Sequence, residues 1–322
     1  GVRTVSDGVT LSSLLVDKAT ATANTTAELP GGVGIHASGI TKIQNSIIRR
    51  SGTIGIWADG TIPDASGYVV TVDGNTTTMQ VQQNAGLGIQ LDGGPHNLKN
   101  TLVSGDGIAG LSTDAVVVGA TSTGSNLDGL SIKLHGGNGV VVNGNGARIS
   151  RSTVDTTVGL DAFVIVGGGS VINGNDAQSL GNGFVISGPD NVLTSNNAEG
   201  GGDGYVVTGD RASLSSNTAS QNDGRGFVIQ GASGVYNTNT AESTGGDGFL
   251  VTGASNTFGS NQSKQNLGMG FNVSGTGNHF RNNAAELNAS SEWVLAPGNL
   301  DDGGNKVSGS TFTFTAAGGT FN

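Results

Sequence analysis

Two columns of charged residues are the first candidates for chemistry in this chain. At intervals of 21 to 24 residues the middle position of a recurring Gly-x-Gly reads Asn138, Asp161, Asn182, Asp203, Arg225, Asp247 and Met269. A second series, four to five residues earlier, reads Gln178, Glu199, Ser220, Glu242, Lys264 and Glu286. Asp203 and Asp247, with Arg225 between them, offer oxygen ligands to a cation or acceptors to a sugar. The same pattern arises on a solvated face, where one base between two acids relieves repulsion between like charges on neighbouring strands. Arg148, Arg151 and Asp155 share the segment RISRSTVD, with Lys133 and His135 in the repeat before it, and this densest basic patch is a second place for a lyase or hydrolase site. The four histidines, His36, His96, His135 and His279, fall too far apart in the repeat to converge on zinc or copper. The chain has no cysteine, which excludes thiolate ligands and disulfides. No metal site and no cofactor are therefore expected, weak calcium binding on the Asp203 and Asp247 acids excepted.

These columns exist because the chain repeats. The phrase Gly-x-Gly, aromatic or aliphatic, Val, Ile or Val, x, Gly returns as GNGFVISG, GDGYVVTG, GRGFVIQG, GDGFLVTG and GMGFNVSG, with second glycines at Gly183, Gly204, Gly226, Gly248 and Gly270. Ala162 and Gly139 hold the same place earlier, Trp293 later, and looser forms surround Gly34, Gly55 and Gly88; between residues 89 and 138 the register is open. An apolar residue followed three positions later by asparagine accompanies each phrase, giving Asn175, Asn196, Asn217, Asn239, Asn261 and Asn283. One repeat per turn stacks these six into a ladder of side-chain amides, each at a corner whose left-handed backbone asparagine tolerates.

Apolar runs of three to five residues, split by Gly, Asn, Asp and Ser, argue for short strands. A unit of about 22 residues cannot bury its own apolar face, whereas stacked units bury a continuous core and pair every backbone with the next coil. The expected fold is all-β: a right-handed parallel β-helix solenoid of about a dozen coils, 21–23 residues per coil, with an Asn ladder. On the Gly-x-Gly and Asn phrases the chain resembles the right-handed parallel β-helix repeat family, shared by pectate lyases, alginate epimerase-type enzymes, NosD-like proteins and phage tailspikes. The resemblance implies architecture and leaves activity open, since one fold hosts many functions. Three segments are expected: residues 1–30 as an N-terminal cap with a short helix at LSSLLVDKA, residues 31–307 as the β-helix, and residues 308–322 as a C-terminal strand or cap carrying Phe312 and Phe314.

The 322 residues include 58 glycines and a net charge of −10, which disfavours any phosphate-led hold on nucleic acid. No apolar run is long enough to span a membrane. Alternation within GFVIxG turns one column outward, Val141, Val164, Val185, Val206, Val228 and Leu250, six apolar side chains in succession. Such a strip either marks an association site or reflects the fit of valine to strands. Tyr205 and Tyr236 replace Phe and are expected in the core; Trp57 and Trp293 are expected near the surface, far apart. The Asp-Pro-His-Asp motif of alginate epimerases is missing, with Gly94-Pro95-His96 its nearest fragment. Two functions follow. One is an extracellular or cell-surface rod, structural or adhesive, forming homo-oligomers or filaments through the valine strip. The other is a polysaccharide lyase, hydrolase or epimerase.

Overall fold

In the computed structural model, the described residues are all but 19–31, 75–78, 106–112, 157–159, 309, 312–318 and 322. Their elements are all strands, mostly of three or four residues, and the fold is a right-handed parallel β-solenoid of about twelve turns. The chain divides into two compact units, Gly1–Ser170 and Val171–Asn322. Each coil contributes one strand to each of three parallel sheets, here A, B and C.

In the first unit, sheet A runs through Val2–Thr4, Ile35–Ala37, Ile54–Ala58, Leu87–Leu91, Val116–Val118, Val140–Val142 and Phe163–Ile165. Ile89 pairs with Val116 and Val116 with Val140, so Ala115 occupies the glycine place in the stretch the sequence left open. Cap and helix are not found at the N-terminus: Val9–Ser12 and Leu15–Asp17 are already sheet B and sheet C strands of the first coil. The helix-like spacing of Leu11, Leu14 and Leu15 comes from two strands meeting at a bend at Ser13, whose φ is 56°.

In the second unit, sheet A runs from Phe184–Ile186 to Trp293–Leu295, and Gly319–Phe321 adds an antiparallel strand at its end. Phe312 and Phe314 lie outside the described residues. The core is a column of stacked rings, with Phe184, Tyr205, Phe227, Phe249 and Phe271 4.6 to 4.9 Å apart in successive coils. Tyr205 and Tyr236 are both buried, as their repeat positions imply. Trp293 is also fully buried, stacked 4.0 Å from Phe271. It therefore pairs with the aromatic place of the repeat, and Glu292 takes the glycine place.

The coil narrows where sheet C meets sheet A, and this explains the second glycine of the phrase. A Cβ built on Gly226 would lie 2.5 Å from Ala241 Cβ and 2.7 Å from the Gly248 carbonyl oxygen. One on Gly204 would lie 2.7 Å from Ala219 Cβ. The small Ala after each ladder asparagine and the glycine opposite it are thus one packing device.

The ladder is present, and each rung is fully satisfied. Asn217 Nδ2 donates to Asn239 Oδ1 and to the Leu193 carbonyl, both at 3.0 Å, while its Oδ1 accepts from the Asn196 side chain at 2.9 Å and backbone at 3.0 Å. The same bonding extends to Asn305. The expected reason for asparagine is corrected. The left-handed residue is the one before each rung, Gly174, Ser195, Ser216, Thr238, Ser260 and Asn282, with φ between 54° and 64°, and the asparagines have ordinary φ. Asparagine is selected for its amide, which bonds the coils on either side. The other two corners follow the same rule: Asn256, Asn278 and Asn299 stack between sheets A and B, and Thr244, Asn266 and Asn288 between sheets C and A.

Candidate functional site

The acidic columns chosen from sequence hold up the backbone. Asp203 Oδ1 accepts the Arg225 amide at 2.7 Å and Asp247 Oδ1 the Met269 amide at 2.7 Å, while Asp247 Oδ2 takes the Asn272 side chain at 2.8 Å. Asn138 and Asn182 do the same for Asp161 and Asp203. The column bridges coils by side-chain caps, and the Arg225 guanidinium stands 3.9 Å from Asp203. The Glu199 to Glu286 series lies on sheet C, with Lys264 bonded to Glu242 at 3.3 Å. No group of three or more metal-ligating acids or histidines occurs among the described residues.

The basic patch is not assembled either. Arg148 projects from sheet B, Lys133 and Asp155 pair on sheet C, and Arg151 at the bend between them forms a two-pronged pair with Asp128, whose carboxyl it holds below the usual range. His135 turns into the corner, fully buried, and burial lowers it to about 4. Tyr205 donates to the Asn196 carbonyl at 2.8 Å.

The valine column does alternate outward, with a correction at its centre. Val141 and Val164 in the first unit, and Val185, Val206 and Leu250 in the second, are partly exposed, but Val228 is only 2 % exposed. Outward direction on a sheet face does not by itself give exposure, because neighbouring side chains close over the middle of the face.

The polar cluster that the structure does assemble lies on sheet A of the first unit, in the column that carries valine elsewhere. Its outward positions are Arg3, His36, Trp57, Gln90 and Val117. One alternation further along stand Ser38, Asp59 and Asp92. His36 stacks on Trp57 with centroids 4.4 Å apart and ring planes within 9°. Because the rings stack from coil to coil, their edges face solvent. His36 Nε2 lies 2.9 Å from Asp59 Oδ2 and 3.2 Å from Ser38 Oγ. Trp57 Nε1 donates to Asp92 Oδ2 at 3.1 Å, and Gln90 Nε2 to Asp92 Oδ1 at 2.9 Å.

Two features distinguish this cluster from the caps elsewhere. His36 is 4 % exposed with its Nδ1 unpartnered, and Asp59 Oδ1 is buried without a partner while the side chain as a whole remains 27 % exposed. The turns leaving sheet A are also enlarged here: eleven residues separate Ala58 from Val70 in the next strand, against three between Ala37 and Thr41. Asp64 organises the longest of them, accepting from the Ser66 amide at 2.7 Å and hydroxyl at 2.5 Å. Loops of this kind are where folds place function. The sequence signal for the cluster was present. In GVGIHASG, IGIWADG and GLGIQLDG the outward place holds His, Trp and Gln, and the next outward place after Trp57 and Gln90 is Asp.

Residues 138–285 match the family model of the right handed beta helix region. Among solved structures the chain is similar to the Dettilon tailspike protein gp208, with a TM-score of 0.54 and 10% identity over 85% of this chain and 62% of that one. It thus spans about three fifths of the tailspike. The A-module of the mannuronan C-5 epimerase AlgE6 of Azotobacter vinelandii follows at 0.52 and 12% over 86% and 91%, and the periplasmic alginate epimerase AlgG at 0.50 and 10% over 85% and 76%. Identities this low establish a shared fold. No curated protein sequence matches the chain.

Proposed function

From the premise of a right-handed parallel β-helix, we propose that the protein binds a polysaccharide outside the cell or at its surface, through the outer face of sheet A in its first unit. The observation that carries this reading is the cluster of His36, Trp57, Asp59, Gln90 and Asp92: oriented polar groups from three successive coils, with buried polar atoms left unpaired, beside enlarged turns. Hydrogen-bonding groups held rigid before binding lose little entropy when a ligand arrives. The similar folds named as a tailspike and as alginate epimerases support a carbohydrate ligand. A polysaccharide-cleaving role, of lyase or hydrolase type, would draw on the same two carboxylates. The test is sedimentation with insoluble polysaccharides. Asp59→Ala with Asp92→Ala is expected to weaken binding tenfold or more with an unchanged melting temperature, and unaltered binding would reject this site.

A second, structural role is favoured by the outer face of sheet A in the second unit, where Val185, Val206 and Leu250 leave apolar surface partly exposed. It would let copies of the chain associate side by side.

A further inference from the structure

We infer that the sheet A face selects an uncharged, hydroxyl-rich polysaccharide and rejects a polyuronate, with Asp59 and Asp92 as the residues that set this specificity. The inference rests on the polysaccharide-binding reading above and concerns which glycan that site takes.

The argument begins with what the cluster can exchange with a ligand. Trp57 has one ring face covered by His36, and its indole N–H is already given to Asp92. Stacking on a sugar ring, the usual contribution of an exposed aromatic, is therefore largely spent inside the protein. What remains for recognition is hydrogen bonding, and here the cluster is unbalanced toward acceptors. An ionised carboxylate accepts and cannot donate, with room for about four bonds. Asp92 has received two of them, from Trp57 and Gln90, which fix its plane. Asp59 has one contact, to His36 Nε2, and a buried oxygen with none.

Asp59 and Asp92 follow the paired residues Ala58 and Leu91, so they stand one coil apart, about 4.8 Å by the spacing of paired strands. Two acceptors at that spacing call for a ligand with closely set donors, and the hydroxyls of a neutral sugar supply them. A uronate carboxylate brings another acceptor-only anion to the same place. Arg3 is the one arginine or lysine in the two outward columns among the described residues, and it sits two coils from Trp57. The chain's net charge of −10 adds repulsion of the same sign at longer range. Specificity here comes from groups that a wrong ligand would leave unpaired or repel.

The test is native affinity electrophoresis of the full chain in gels containing mixed-linkage β-glucan, xylan or galactomannan, and in parallel gels containing alginate or pectate. Retardation by a neutral polymer and none by the two polyuronates is expected. Asp59→Asn with Asp92→Asn keeps an acceptor at each position and removes the charge. It should narrow the preference for neutral over acidic polymer by tenfold or more, a difference of about 1.4 kcal/mol. Wild-type protein retarded by alginate or pectate as strongly as by the neutral polymers would overturn the inference, with no variant needed. So would a preference that the double variant leaves unchanged. Retardation by none of the five would instead overturn the polysaccharide-binding reading, a result distinct from either.

Discussion

At the scale of single residues, two kinds of buried polar group have opposite consequences. The ladder asparagines are neutral and fully bonded, so removing one leaves its neighbours short. Asn217→Ala deletes two donated bonds and strands the amide of Asn196, and a loss of roughly 1 to 3 kcal/mol is expected. Chemical denaturation measures it, and a midpoint equal to wild type would contradict the role given to the rung. His135 is buried and titratable, and burial holds it near 4 where an unfolded histidine sits at 6.5. The unfolded chain then binds a proton that the folded chain refuses, so stability is full above about pH 6.5 and falls as pH drops toward 4, by up to the order of 3 kcal/mol. His96 shifts in the same direction, also by burial. Replacing His135 with glutamine should flatten the dependence of the urea midpoint over that window by about one proton. A profile identical to wild type would exclude His135 as its source.

At the scale of the element, the strand triplets have almost no freedom in side-chain size. The glycine opening each sheet A strand and the alanine in sheet C oppose each other within the coil, so their volumes are coupled. Gly226→Ala alone should cost about 1 to 3 kcal/mol by overpacking against Ala241. Combining it with Ala241→Gly should restore part of that loss, the Gly248 carbonyl being a second obstacle. Additive effects in this double-mutant cycle would contradict the coupling. The bends obey an equally local rule, one left-handed residue followed by the side chain that bonds between coils. That regularity explains why Ser and Thr serve before the rungs in the second unit as well as Gly does. It also explains why the enlarged turns of the first unit stand out: the coil needs only a few residues to change sheets, and the extra ones are free for another use.

At the scale of the whole molecule, low charge and high glycine content leave sheet faces to be differentiated by a few side chains, and the two sheet A faces are differentiated in opposite ways. The apolar face of the second unit carries an association prediction. Replacing Val185, Val206 and Leu250 with threonine should lower the mass seen by light scattering at high concentration while the melting temperature changes little, and a wild type already monomeric there would end the homotypic version. Val228 is left out of this variant because it is covered. The sequence alone determined the coil, its length of about 22 residues, the asparagine ladder and the core positions of Tyr205 and Tyr236, since each depends on a period that repeats in the chain. It misplaced the helix at LSSLLVDKA, because a bend between two strands mimics helical spacing. It put Trp293 near the surface and in the glycine place for lack of one residue of register. Asp203, Arg225 and Asp247 drew notice as charges, and only the tertiary structure revealed their oxygens bonded to backbone amides of the next coil. The cluster of His36, Trp57, Asp59, Gln90 and Asp92 likewise emerged only there. Its members come from coils of unequal length, 21 and 33 residues apart, and strand pairing across those coils is what brings them to one face.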